Sequence, residues 1–101
     1  MWNPKIFRNI KPSQKATKRI GEAMVKLVAV EGLTAKQFVA CSQEIVNQIS
    51  QEKDSIFTVS WRLKEIIVNS QGFVLLGFDD LESENSKELV FNPDGNRVLR
   101  Y

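Results

Sequence analysis

The amino-acid sequence predicts an α+β domain: three helical stretches, then a two- or three-stranded antiparallel tail. Three observations predict it. Apolar residues recur at spacings of three and four from Ile20 to Ile49, the period of helices with one buried face. After Gly72 the pattern changes to a short, nearly continuous apolar run, Phe73-Val74-Leu75-Leu76-Gly77-Phe78. The stretch Pro93-Asp94-Gly95-Asn96 then carries strong turn chemistry between two further short segments. The 101 residues amount to one domain, and 43% hydrophobic content suits a globular chain. A chain this short buries a small share of its surface, so dimerisation is a natural way to add core.

Residues 1–12 read as a basic arm punctuated by Pro4 and Pro12, with Trp2, Ile6, Phe7 and Ile10 available for packing. The folded domain is expected to span 13–101. Ser13 is a candidate cap for a first helix running to about Glu31, with Ile20, Ala23, Met24, Leu27 and Val28 on its buried face. Gly32 marks its end. Thr34 followed by Gln37 has capping-box form and opens a second helix towards Ile49. That helix buries Phe38, Cys41 or Ser42, Ile45 and Ile49, and is either continuous or broken near Ser42. Residues 50–55 are polar and read as a turn. A third helix is expected from Phe57 or Thr58 to just before Gly72, with Val59, Leu63, Ile66 and Ile67 inward. The tail holds a strand at 73–78, an acidic loop at 79–87, a strand at 88–92 and a short strand at 97–101.

Composition narrows the chemistry. Histidine is absent, which removes the commonest general base and the commonest metal ligand. The single cysteine, Cys41, permits no internal disulfide and no cysteine cluster, and its apolar setting reads as a plain buried thiol. No glycine-rich phosphate cradle or nucleophile paired with a base is present, so no catalytic residues, metal or cofactor are expected. No apolar run approaches the roughly 20 residues that span a bilayer, and the first residues lack a secretory pattern, so a cytoplasmic location is expected. Net charge is only +2, but it is unevenly placed. Residues 1–26 hold seven bases against one acid, and residues 79–101 hold six acids against three bases. Such asymmetry suggests one face for a polyanion and another for a different partner, or simply solvated surface charge.

The informative stretch is Thr58-Val59-Ser60-Trp61-Arg62-Leu63-Lys64-Glu65-Ile66, followed by Gly72-Phe73-Val74. It resembles the recognition helix and first wing strand of the winged helix-turn-helix family. The resemblance implies sequence-specific binding of double-stranded DNA by a homodimer. A helix fits the major groove, where Arg62 is suited to guanine and Lys64 to the backbone. Ser55, Thr58 and Ser60 are placed for phosphate hydrogen bonds. Trp61 is suited to sugar or a thymine methyl group, to a dimer contact, or to the core. Lys15, Lys18 and Arg19 add phosphate contacts that carry no sequence preference. The wing departs from the family's design: Asp79, Asp80, Glu82 and Glu84 would be repelled by phosphate, and are better placed to offer an acidic patch to a protein partner. Transcriptional repression is the usual use of such a module. The centromere-binding adaptors of tubulin-type plasmid partition systems are a second use on a similar scale. The alternative is a non-enzymatic protein-interaction module, such as a phage- or plasmid-encoded inhibitor or an assembly subunit.

Overall fold

The computed structural model describes residues 14–50, 61–81 and 83–99, with the side chains of Gln14 and Lys15 left out. The basic arm, the Ser13 cap, the turn at 51–55, the start of the expected third helix, Glu82 and residues 100–101 lie outside the described residues. Within them the fold is α+β: α1 (Gln14–Val28), α2 (Ala35–Ile49), β1 (Trp61–Val68), β2 (Val74–Asp80), β3 (Ser86–Phe91) and β4 (Arg97–Val98). The four strands form one antiparallel sheet in the order β1-β2-β3-β4, a simple meander.

The first helix buries Ala16, Ala23 and Leu27, with Ile20 and Met24 half-buried beside them. Val28, expected inward, is 67% exposed, whereas Arg19 is buried. The helix dips its long cationic stem against the sheet edge instead of its last valine. The second helix is continuous through Ser42, whose hydroxyl donates to the Phe38 carbonyl 2.8 Å away rather than starting a new cap. The capping box forms as expected: the Gln37 N–H donates to Thr34 Oγ1 at 3.1 Å, and the Thr34 N–H donates to Gln37 Oε1 at 3.0 Å. Cys41, Ile45 and Ile49 face the sheet, with Phe38 only partly buried.

The expected third helix is corrected. Residues 61–68 are strand β1, paired along its length with β2 from Trp61↔Asp80 to Val68↔Val74. A register shift between Leu63 and Glu65 makes Lys64 the extra residue of a β-bulge. The bulge moves the inward positions from strict alternation to Trp61, Leu63, Ile66 and Val68, all packed into the core. Its three-residue step from Leu63 to Ile66 imitates one turn of helix, which is why periodicity alone misassigns the segment. The run Ile66-Ile67-Val68 is β-branched throughout and favours the pleated surface.

Two turns at one end of the sheet share a design. In the β1–β2 turn, Asn69 Oδ1 accepts the N–H groups of Gln71 and Phe73, both at 2.9 Å. In the β3–β4 turn, Asn92 Oδ1 accepts those of Asp94 at 3.0 Å and Asn96 at 2.9 Å. Each turn carries its glycine three residues after the asparagine, with positive φ: Gly72 at 87° and Gly95 at 82°. The core lies between the helices and one sheet face, with Val74, Leu76, Phe78, Leu89 and Phe91 meeting the helix residues. Each such large side chain, fully buried, contributes about 1.5–3 kcal/mol.

Cys41 sits in this core with no exposed surface. Burial pushes its thiol pKa up to about 11. Because the folded value lies above the ordinary unfolded value of about 8.5, the linked stability is present below that pH and fades as pH rises towards the folded value. We therefore expect an aromatic disulfide reagent at about pH 8 to label Cys41 only as fast as the protein opens. Labelling that proceeds at the rate of a free thiol without denaturant would contradict the burial.

Candidate functional surfaces

Two surfaces of the described fold carry chemistry that the core does not use. The first lies where α1 meets β1, an edge strand whose outward carbonyls need partners. Arg19 Nε donates to the Trp61 carbonyl at 3.0 Å. Lys26 Nζ donates to the Leu63 carbonyl at 3.3 Å and lies 3.5 Å from that of Lys64. Cations on the helix thus cap the edge, and the bulge at Lys64 further discourages another strand from pairing there. A hollow of about 460 Å³ opens beside this seam, lined by Arg19, Glu22, Ala23, Lys26, Arg62 and Leu63.

Residues far apart in sequence that were expected to bind DNA are therefore neighbours. Arg19 touches the Trp61 backbone, and Arg62 lines the same hollow. Lys64 is exposed at the bulge, close to Lys26, and Lys18 is exposed on α1. Lys15 lies in α1 without a described side chain. Ser55, Thr58 and Ser60 fall outside the described residues. Trp61, Arg62 and Lys64 stand on a strand and not on a groove-reading helix. Arg62 is engaged by Asp79 through two hydrogen bonds, Nη2 to Oδ2 at 2.8 Å and Nε to Oδ1 at 3.2 Å. Trp61 is half-buried and packs on the core, with Lys87 Nζ 4.1 Å from its ring centroid. Burial lowers the pKa of the Lys87 ammonium, an effect that Glu44 opposes. Lys87 also donates to Gln48 Oε1.

The acidic wing is also redistributed. Asp79 and Asp80 belong to β2 and not to the loop. The carboxylate of Asp79 is matched by Arg62. Asp80 is buried and accepts the Ser83 hydroxyl at 2.7 Å, holding the hairpin turn. Glu84 is the carboxylate left exposed at the described part of the tip.

The second surface is the sheet face turned away from the helices, which the sequence reading did not foresee. Strand alternation and register place Ile67, Leu75, Val90 and Val98 side by side, one from each strand. Ile67 is 48% exposed, and Leu75 and Val98 are half-buried. Val90 is largely buried although it belongs to no part of the helix-side core. Beside this apolar row lie Glu65 and Glu88, both paired in register with Gly77. A Cβ at Gly77 would come 3.0 Å from Glu65 Cγ, so the glycine lets the Glu65 stem lie flat across the strand. Beyond them come Arg62 and Asp79. The face is an apolar band with an acidic border, and among the described residues no helix covers it. The signal was present in sequence, but the helix assignment of 58–71 hid the strand that begins the row.

Comparison of the chain with protein-family models, with curated proteins and with solved structures gives no match. Among the described residues no helix is long and apolar enough to cross a membrane. No three metal-binding side chains come together among them.

Proposed function

We propose that the protein is a non-enzymatic protein-interaction module that works through the open face of its sheet. The observation that carries this reading is the row Ile67–Leu75–Val90–Val98, which crosses all four strands on the side opposite the helices. Among the described residues no helix lies over this row, in which Ile67 is exposed and Leu75 and Val98 are half-buried, and soluble domains seldom present a contiguous apolar patch without a use for it. The border of Glu65 and Glu88 favours a partner with an apolar centre and a basic rim. The band's aliphatic residues offer no aromatic platform for stacking bases.

A second reading retains nucleic acid. Its support is the meeting of Arg19, Lys26, Arg62 and Lys64 at the α1–β1 seam, and the order of helices before antiparallel strands, which is compatible with a winged-helix-like arrangement. In this reading the contacts are to phosphate, with a strong salt dependence and little sequence preference.

One set of variants separates the two. The full chain serves as bait, and the affinity of any captured protein is measured by calorimetry for wild type, Leu75→Lys and Lys26→Ala; duplex DNA of mixed sequence is titrated in parallel. The first reading expects Leu75→Lys to weaken protein binding by at least about tenfold, with Lys26→Ala close to wild type. Tight DNA binding that weakens with Lys26→Ala and is indifferent to Leu75→Lys would replace it with the second.

A further inference from the structure

We propose that the hollow at the α1–β1 seam is a binding site for a small organic anion, an acidic head group carried on an apolar body. The site is separate from the open sheet face and does not rest on the protein-interaction reading. Its volume of about 460 Å³ is that of an ordinary small-molecule site. The lining has an apolar part, Ala23, Val25 and Leu63, and a cationic part, Arg19, Lys26 and Arg62, with Glu22 as its acid. Ala23 and Leu63 are buried in the core and form the floor, and Val25 stands exposed at the rim. An apolar surface with a few convergent polar groups is the usual composition of a ligand site.

The state of Lys26 points to an anion. Glu22 lies one helical turn before it, the order and spacing that favour an ion pair along a helix. Among the described residues Lys26 makes no ion pair at all. Its ammonium turns instead to the sheet edge, donating to the Leu63 carbonyl at 3.3 Å, with that of Lys64 at 3.5 Å. Carbonyls orient an ammonium without neutralising it, so an uncompensated positive charge is held at the wall of the hollow.

Two guanidinium groups complete the wall. Arg19 is buried, and its Nε is fixed on the Trp61 carbonyl at 3.0 Å. Arg62 comes from the strand, and its pair with Asp79 uses Nε and Nη2. Nη1 of the fork is then the group that serves a second acceptor. An acidic head held by Lys26 and Arg62 places its apolar body against Ala23, Val25 and Leu63. Attraction is strengthened there because the apolar floor excludes water from one side. Glu22 works against the ligand. Its charge is felt at Arg62, whose pKa is held above the ordinary value by the hydrogen bond and charge of Asp79, with Glu22 adding to them.

Titration of the full chain with 2-naphthoate, followed by amide NMR and calorimetry, tests the site. The expected Kd is about 1 mM, with shifts centred on Ala23, Lys26 and Leu63. Acetate and the neutral 2-naphthalenemethanol each lack one half of the ligand and should bind at least about fivefold more weakly. Lys26→Ala should weaken 2-naphthoate by a similar factor. Val25→Asp should do so as well, by setting a carboxylate on the rim at an exposed position that leaves the core intact. Glu22→Gln should tighten binding, and Leu75→Lys on the open sheet face should leave it unchanged. The proposal is overturned by no saturable shift up to about 10 mM. Shifts centred on Ile67 and Leu75, acetate or the alcohol binding as tightly as 2-naphthoate, or an affinity indifferent to both Lys26→Ala and Val25→Asp would also overturn it.

Discussion

Replacing Gln37 with alanine is expected to lower the unfolding free energy by about 3 kcal/mol, a large fraction of the stability of a domain this size. Gln37 is fully buried at the start of α2, and its amide serves three backbone groups. Its Oε1 accepts the Thr34 N–H at 3.0 Å. Its Nε2 donates to the Gly72 carbonyl at 2.6 Å and the Asn92 carbonyl at 3.0 Å. One side chain thus closes the helix cap and ties α2 to both asparagine turns of the sheet. Each lost bond is worth about 1 kcal/mol net, and more where its backbone partner stays dry. Urea titration of wild type and variant measures the difference, and a loss under about 1 kcal/mol would show that the three bonds are not the joint described.

Gln37→Glu sharpens the test, because a carboxylate there would point at two carbonyl oxygens. The folded-state pKa of the new group must rise above the ordinary value of about 4.3. A raised folded pKa supplies stability that is present below the unfolded value and is lost as pH rises through the folded one. The variant should therefore come closest to wild type in acid and fall away towards neutral pH. Stability that changes with pH as in wild type would contradict the geometry.

Gly95→Ala is expected to cost about 3 kcal/mol, by two separable effects. Gly95 has φ of 82°, so any side chain brings roughly 1–2 kcal/mol of left-handed strain. A Cβ there would also lie 2.7 Å from the Lys36 carbonyl oxygen and 2.9 Å from its carbon. Both atoms are helix backbone and cannot swing aside. The turn must lift away from α2, loosening the bond from Thr34 Oγ1 to the Pro93 carbonyl, now 2.8 Å. Gly32→Ala is the control: φ is 92°, yet a Cβ there meets nothing within 4 Å. Only the strain should remain in Gly32→Ala, and equal losses at the two positions would refute the close approach.

The helical half of the fold was legible because its signals are local. Thr34 and Gln37 are three residues apart, and both halves of the capping box form where the spacing placed them. Cys41, Ile45 and Ile49 repeat at helical intervals, and all three are buried. The turn at 93–96 was equally plain. Its twin was missed: Asn69-Ser70-Gln71-Gly72 repeats the asparagine-to-glycine spacing of Asn92-Pro93-Asp94-Gly95. That repeat marks the end of β1 at Val68 and argues against a helix through Asn69.

The candidate surfaces depend on contacts that no short stretch of chain can announce. Arg62 looked like a free guanine-reading side chain until register set it opposite Asp79, 17 positions along. Arg19 looked like surface charge, yet it caps the sheet edge at Trp61, 42 positions away. Ile67, Leu75, Val90 and Val98 form a row only because three strand registers align them.

Sequence alone determined the helices at 14–28 and 35–49, the Thr34 cap, the apolar core strand expected at 73–78 and found from Val74, and the turn at Gly95, since propensity, capping and periodicity act within a few residues. Tertiary structure alone decided that 61–68 is a strand, because a bulge at Lys64 gives a strand the spacing of a helix and only pairing with β2 distinguishes them. That pairing also buries Leu63 against the helices and turns Ile67 to the open face, which is where the proposed function resides.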